Sequence, residues 1–486
     1  MSQEVRNLAP KALWNKFADL NEVPRPSKKE ERVIAFMKKF GEDLGLETIE
    51  DEVGNVIIKK PASIGMEDRK TIVMQSHLDM VHQKNADTVF DFDTQGIQMY
   101  VDGDWVRAKG TTLGADNGLG VATIMAILES NEIQHPAIEA LFTIDEETGM
   151  TGAMGLKGGL LSGEILLNLD TEEDDEIGVG CAGGIDITAT TNYNENIVSG
   201  NVSAYTISVK GLNGGHSGMD IIKGLGNANI FMTRLLYKGY EKYGLRVSEI
   251  DGGSLRNAIP RESFATVIIE NTHKEAFLSE MDLAIAEITA EYKTLEADLD
   301  VEIKETSLPE KIIDLGVQEN LLKALYSAHN GVYRMSPDIE GLVETSNNIA
   351  RVVVKEGQAK VLCLTRSSVE SGKYDLANKL TATFELAGLD VELSGSYPGW
   401  TPKMDAEILK VMTDLYVKLN GEQPHVAACH AGLECGILGT HYPDMEMISF
   451  GPNIKGAHSP DERAQISSAQ KYWNFVLEIL KEIPKK

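Results

Sequence analysis

Short apolar runs, each closed by polar or glycine-rich residues, punctuate the first third of the chain: Val56-Ile57-Ile58, Thr71 to Met74, Ala140 to Ile144 and Ile165 to Leu169. Runs of that length with those boundaries predict buried strands of a mixed, largely parallel sheet. Around them the period changes. Residues 11–45 carry a helical pattern interrupted at Pro24 and Pro26, with Val33, Ile34, Phe36, Met37, Phe40, Leu44 and Leu46 largely on one face. Leu119 to Leu128 is apolar almost all round and predicts a helix packed under the sheet. A closing helix, about Ser467 to Ile483, carries the stripe Tyr472, Val476, Ile479, Leu480 and Ile483.

The middle third has another grain. Phe264 to Ile269 predicts a strand and Lys274 to Tyr292 a long amphipathic helix. Leu295, Ala297, Leu299, Val301 and Ile303 then alternate with polar and charged residues, which predicts a half-buried strand. Strand, helix and strand recur at Val361 to Leu364, Tyr374 to Leu386 and Val391 to Ser394. The expectation is two similar α+β halves, each an antiparallel sheet with helices on one face.

At 486 residues the chain exceeds one ordinary core. With 46 Lys and Arg against 74 Asp and Glu, its net charge of −28 argues against nucleic acid or an anionic membrane as partner. No run approaches the ~18 apolar residues of a membrane span. Met1 to Lys11 holds Glu4, Arg6 and Lys11 rather than the apolar core of a secretory signal. Cys181, Cys363, Cys429 and Cys435 are scattered without a Cys-x-x-Cys pair, so reduced thiols and a cytoplasmic location are expected.

Candidate chemistry gathers where the apolar runs end. His77 follows one such run and has Asp79 two residues on, a carboxylate able to accept the other ring N–H. Asp116 lies among Gly114, Gly118 and Gly120; alone it reads as a helix N-cap, yet a carboxylate there could also bridge two cations and offset their repulsion. After Ala140 to Ile144, one of Glu146 and Glu147 can ligate while its neighbour points into the cleft as a base. Asp170 closes a further run, and His458 stands far along the chain in Ala457-His458-Ser459-Pro460. Glu172 to Glu176 lacks the alternating ligands and glycine of a calcium loop and reads as a solvated acidic turn. Histidines and carboxylates without cysteine favour Zn²⁺, with Co²⁺ or Mn²⁺ as substitutes. Because these candidates stop at Asp170 and resume at His458, the expected architecture is an α/β catalytic domain interrupted by an inserted α+β lid. The expected boundaries are 1–186, 187–398 and 399–486.

At these residues the chain resembles the di-zinc aminoacylase and carboxypeptidase clan of metallopeptidases, within it the dipeptidases. The marks are Gln75 to Met80, Gly110 to Gly118, Gly180 to Gly184, Gly214 to Gly218, Arg256 to Pro260 and His430 to Gly436. The resemblance implies two Zn²⁺ bridged by Asp116, one completed by His77 and Asp170, the other by Glu147 and His458. It implies Asp79 as the partner that orients His77, Glu146 as general base, and a strained, often cis, peptide at Asp116-Asn117. His216, flanked by glycines, is the expected oxyanion donor. Asn257 and Arg366 resemble a carboxylate clamp, and Gly432 and Glu434 are placed near the substrate's amino end. The implied activity is hydrolysis of dipeptides with free termini, Xaa-His included, by a chain compatible with a homodimer. N-acyl amino acid deacylase or carboxypeptidase action on the same scaffold, and a non-catalytic metal-bound scaffold, are the alternatives.

Overall fold

The computed structural model describes residues 3–486, so the first two residues of the amino-terminal stretch lie outside it. It divides into two units. One comprises the chain up to Gly180 with Trp400–Ala428 and Leu433–Lys486; the other comprises Cys181–Gly399 with Cys429–Gly432. No helix of the described residues is long and apolar enough to cross a membrane.

In the first unit an eight-stranded mixed sheet runs Glu47–Glu50, Val56–Lys60, Ile138–Thr143, Ile72–His77, Ile165–Asn168, Glu446–Ser449, Glu176–Cys181, His425–Cys429. The four strands from Ile138–Thr143 to Glu446–Ser449 are mutually parallel, and their flanking neighbours Val56–Lys60 and Glu176–Cys181 pair antiparallel. Every residue of Ile72–His77, Ile138–Thr143 and Ile165–Asn168 is buried, as unbroken apolar runs in a sheet covered on both faces should be. His77 stands opposite Thr143, and Gln75 opposite Asn168, so three adjacent strands end within two residues of one another. Helix Ala115–Glu129 is buried from Asn117 through Leu128. A Cβ at Gly120 would stand 2.4 Å from Ser76 Oγ, 2.5 Å from the Leu169 carbonyl oxygen and 2.7 Å from Asn117 Oδ1, so only glycine permits this approach.

The second unit corrects the expectation of two separate, tandem halves. Its strands form one antiparallel sheet: Asp300–Thr306, Val202–Lys210, Ser263–Glu270, Arg246–Gly253, Val343–Lys355, Gln358–Ser367, Gly183–Asn192, Asp390–Tyr397, with Gly331–Met335 beside Val343–Lys355. Two strand–helix–strand–strand–helix–strand runs build it. Within each, the lateral order is fourth, first, third, second, and the two second strands pair at the seam from Ile250↔Val354 to Gly253↔Arg351. One run is nested in the other: strand Gly183–Asn192 opens the outer run, which resumes only at helix Leu315–Ser327. A boundary at 186/187 would cut through that strand, which is laddered on both sides. Joining the halves pairs edges that would otherwise stand open and gives both a single core.

A second correction concerns Leu295 to Ile303. The strand starts only at Asp300. Before it the chain turns, with N–H of Leu295 and Glu296 bonded to Tyr292 and N–H of Leu299 to Glu296. Glu296 is buried rather than solvent-facing, and its carboxylate accepts N–H bonds from Asn213 and Gly226 at 2.7 Å each. Satisfying those two donors outweighs the strand pattern.

Gly120→Ala should lower the denaturation midpoint by an amount equivalent to about 1–3 kcal/mol, since all three crowded atoms belong to buried residues and the Leu169 carbonyl is backbone that cannot swing away. An unchanged midpoint in urea titration would show that the helix and the Leu169 turn have slack.

Candidate metal centre and substrate-binding residues

The ends of the three parallel strands carry the predicted residues of the first unit. His77 is the last residue of its strand, Glu146 and Glu147 follow Ile138–Thr143, and Asp170 follows Ile165–Asn168. That is the crevice beyond the carboxyl ends, where an α/β sheet presents side chains. Asp116 enters from the first turn of helix Ala115–Glu129, after Gly114 in the left-handed region at φ 68°. His458 comes from a loop and is itself left-handed, at φ 64°.

The structure brings these five together. Asp116 Oδ1 lies 3.2 Å from His77 Nε2, and Asp116 Oδ2 lies 3.2 Å from His458 Nε2. Asp170 Oδ1 is 3.5 Å from His77 Nε2, and Glu147 Oε2 is 2.9 Å from His458 Nε2. Two groups able to hold a cation therefore share Asp116: His77, Asp116 and Asp170, and Asp116, Glu147 and His458. Glu146 joins His77 and Glu147 in a third such group. The donor set fits divalent cations. Three ligand carboxylates converge with no lysine or arginine among them, and Glu147 Oε1 is buried with no hydrogen-bond partner. Bonds to Asp116 and Glu147 push His458 up to about 11, and against the cost of burial His77 is raised by Asp170 and Asp116. Burial opposes the Asp116 charge, yet His458 and His77 hold it far below the usual carboxylate range. Burial pushes Asp170 up to about 6 and raises Glu146 well above its ordinary value.

Asp79 is fully buried and lies 3.4 Å (Oδ1) from His77 Nδ1, whose nearer partner is the Asp79 carbonyl at 3.2 Å. Its carboxylate also accepts the N–H of Glu146 at 3.0 Å, the N–H of Glu147 at 3.3 Å and the Ser27 hydroxyl at 2.8 Å. It thus fixes the backbone of the two glutamates as well as the histidine. The Asp116-Asn117 peptide is cis.

Glu434 opens helix Glu434–His441 and is fully buried. Its Oε2 accepts from Gln75 Nε2 at 2.6 Å and Thr143 Oγ1 at 2.7 Å, whereas Oε1 is buried without a partner; burial pushes it up to about 7. The solvated acidic turn expected at Glu172 to Glu176 is corrected. Asp174 pairs with Lys471 at 2.8 Å, Glu173 with Lys455, and burial pushes Glu172 up to about 8. Two lysines distant in sequence draw the turn inward.

The remaining predicted residues, His216, Asn257, Arg366 and Gly432, belong to the second unit. Gly215–His216 pairs with Ala258–Ile259, and the Ser217 N–H bonds the Asn257 carbonyl at 2.8 Å, so the turn carrying Asn257 is held beside His216. His216 Nδ1 accepts N–H bonds from Gly218 at 3.2 Å and Met219 at 3.1 Å, which puts the ring proton on Nε2. That Nε2 lies 3.4 Å from Arg366 Nη2. With both atoms bearing protons they do not bond one another, so each keeps a donor for an acceptor of its own. Burial, then the Arg366 charge, lowers His216 below its ordinary value and keeps it neutral. Arg366 lies within strand Gln358–Ser367 and is buried; it donates to the Tyr397 hydroxyl at 2.8 Å and, through Nε, to Ser217 Oγ at 3.4 Å, not to a surface carboxylate. Asn257 is exposed, and Asn348 Nδ2 holds the carbonyls on either side of it, at 3.0 Å to Arg256 and 2.8 Å to Ala258. Gly432 ends the short return segment Cys429–Gly432.

Several residues in these surroundings escape the sequence reading. Arg25, between the prolines that interrupt the first helical stretch, is buried and donates to the Leu78 and Asp79 carbonyls. His430 is buried with Nε2 2.8 Å from Ser346 Oγ, and burial, then Arg366, depresses it to about 3. Glu462, four residues after His458, is buried against the Asp116 turn. Its place beside a candidate ligand was the only signal available.

Comparison with known proteins accords with the geometry. The cytosol non-specific dipeptidase of Escherichia coli is 41% identical over 483 residues, 99% of this chain and 100% of its own length. The crystal structure of aminoacylhistidine dipeptidase from Vibrio alginolyticus superposes with a TM-score of 0.95 at 43% identity, covering 100% of this chain and 99% of that one. Aminopeptidase PepT from Bacillus cereus shares the fold alone, with a TM-score of 0.57 at 17% identity over 98% of this chain and 99% of its own. Residues 73–482 match the model of peptidase family M20/M25/M40, and with a mixed sheet whose strand ends carry histidines and carboxylates, the chain belongs to that family of peptidases.

Proposed function

We propose that the chain hydrolyses dipeptides with free termini, with broad specificity that includes Xaa-His, as a cytoplasmic enzyme. The observation that carries this is the placement of the two Asp116 oxygens, each 3.2 Å from a different imidazole. Asp116, His77 and Asp170 would hold one divalent cation, and Asp116, Glu147 and His458 the other, with Zn²⁺ favoured by the donor set and Co²⁺ or Mn²⁺ as substitutes. When bound, such ions polarise the scissile carbonyl and acidify water at neutral pH. The dipeptide class is supported by the Escherichia coli relative, and Xaa-His substrates by the name of the Vibrio alginolyticus protein.

The side chains divide the remaining work. Glu146, whose affinity for a proton is raised by burial, takes a proton from the attacking water and delivers it to the leaving amine. Asp79 holds His77 in orientation and pins the backbone of Glu146 and Glu147. In the second unit, neutral His216 offers Nε2–H to the tetrahedral oxyanion, and the Arg366 guanidinium with Asn257 receives the substrate carboxylate. Glu434, with its unpartnered Oε1, and Gly432 are assigned to the amino end. A binding group for each terminus limits the substrate to two residues.

Glu146→Ala should retain two bound cations per chain and lose about 10²–10⁴-fold in kcat, measured with a metal assay beside steady-state kinetics; undiminished turnover would remove the base. Arg366→Ala should lose about 10–100-fold in kcat/KM on dipeptides but far less on their C-terminal amides, and equal losses would contradict a carboxylate role. Removing cations with a chelator should abolish turnover of free dipeptides, and zinc or cobalt should restore it. Faster hydrolysis of N-acetylated amino acids than of dipeptides would favour a deacylase instead.

A further inference from the structure

Glu462 is 2% exposed and its carboxylate accepts four backbone N–H groups in succession. Oε2 takes Leu113 at 2.7 Å and Gly114 at 2.9 Å; Oε1 takes Ala115 at 2.7 Å and Asp116 at 3.2 Å. They belong to the turn before the regular part of helix Ala115–Glu129, since Asp116 and Asn117 are not helical, so no helical hydrogen bond claims them. Left-handed Gly114 turns them towards one point, the concave arrangement of amides that binds anions.

We propose that Glu462 is a positioning residue that sets the distance between Asp116 and His458, and so preforms the cation site they share. The inference rests on the reading of those two residues as ligands. At one end Glu462 grips the turn that carries Asp116. At the other it belongs to the His458 loop: the Glu462 N–H bonds the Ser459 carbonyl at 3.0 Å, Ser459 N–H bonds the Gly456 carbonyl at 3.2 Å, and the Ser459 hydroxyl bonds that same carbonyl at 2.8 Å. Directly afterwards Arg463–Gln465 pairs with Trp105–Ala108, which anchors the loop's far side. Residues nearly 350 positions apart are thus tied through one side chain.

A buried carboxylate without a counter-charge is costly. Arg25, also buried, grips the opposite side of the same turn, donating to the Gly114 carbonyl at 2.5 Å and to the Leu78 and Asp79 carbonyls at 3.1 and 3.0 Å. Glu462 holds the Gly114 N–H while Arg25 holds its C=O. Arg25 therefore extends the link from Asp116 to the strand end bearing His77, and opposite charges bracket one peptide.

The chemistry makes Glu462→Gln a sharp probe. The amide keeps the shape but offers one acceptor oxygen in place of two, and turns an NH₂ towards two N–H donors. In the variant, Co²⁺ titration against a competing chelator should show about 10–100-fold weaker binding, with an altered visible spectrum of the cobalt-loaded protein. Hydrogen exchange of the 113–116 amides should accelerate. In the wild-type chain stripped of metal, those amides should exchange as slowly as the strand Ile72–His77. Unchanged cobalt affinity and spectrum in a folded variant would overturn the positioning role and leave the two-ion reading standing. Fast exchange at 113–116 in the stripped wild type would overturn preformation even if the variant failed to fold. A wild-type chain that binds no Co²⁺ would overturn both readings.

Discussion

Like charges brought together inside a protein must be compensated, and the first unit is organised around that requirement. Asp116, Glu147 and Asp170 converge with Glu146 beside them, and the nitrogen-bearing side chains in contact are the imidazoles of His77 and His458. Lysine and arginine stay out of the group, leaving divalent cations as the natural counter-charge. The parallel strands make the arrangement affordable to fold: three neighbours end within two residues of one another, so backbone hydrogen bonds rather than side-chain contacts bring the candidates within reach.

Around the candidate ligands, charged side chains bind the backbone instead of one another. Asp79 accepts from the N–H groups of Glu146 and Glu147, Arg25 donates to the Leu78, Asp79 and Gly114 carbonyls, and Glu462 accepts from the turn of Asp116. Backbone positions carry fewer degrees of freedom than side chains, so pinning them orients a ligand at its root. The second unit follows the same logic. Asn348 holds the carbonyls flanking Asn257, and buried Lys373 holds the carbonyl of Tyr397, whose hydroxyl receives Arg366.

What the sequence could convey depended on whether the signal was local. Unbroken apolar runs marked the central strands, and the candidate residues just beyond them are ones the structure brings together. Asp116 was legible because its glycines have local reasons: Gly114 is left-handed and Gly120 touches a neighbouring backbone. Non-local features were not legible. No periodicity reports that strand Gly183–Asn192 belongs with helices more than a hundred residues later, which is why nested runs read as tandem halves. Alternation between Leu295 and Leu299 gave a strand where Glu296 in fact satisfies two distant N–H groups. Arg25 and Glu462 were not singled out, since their partners are peptide groups, which leave no mark in composition.

The central claim is that two cations share Asp116. Anomalous diffraction at the zinc absorption edge, from crystals grown with zinc, tests it most directly. Two peaks should flank the Asp116 carboxylate, one bounded by His77 and Asp170 and the other by Glu147 and His458. A single peak, or peaks away from these five side chains, would contradict it.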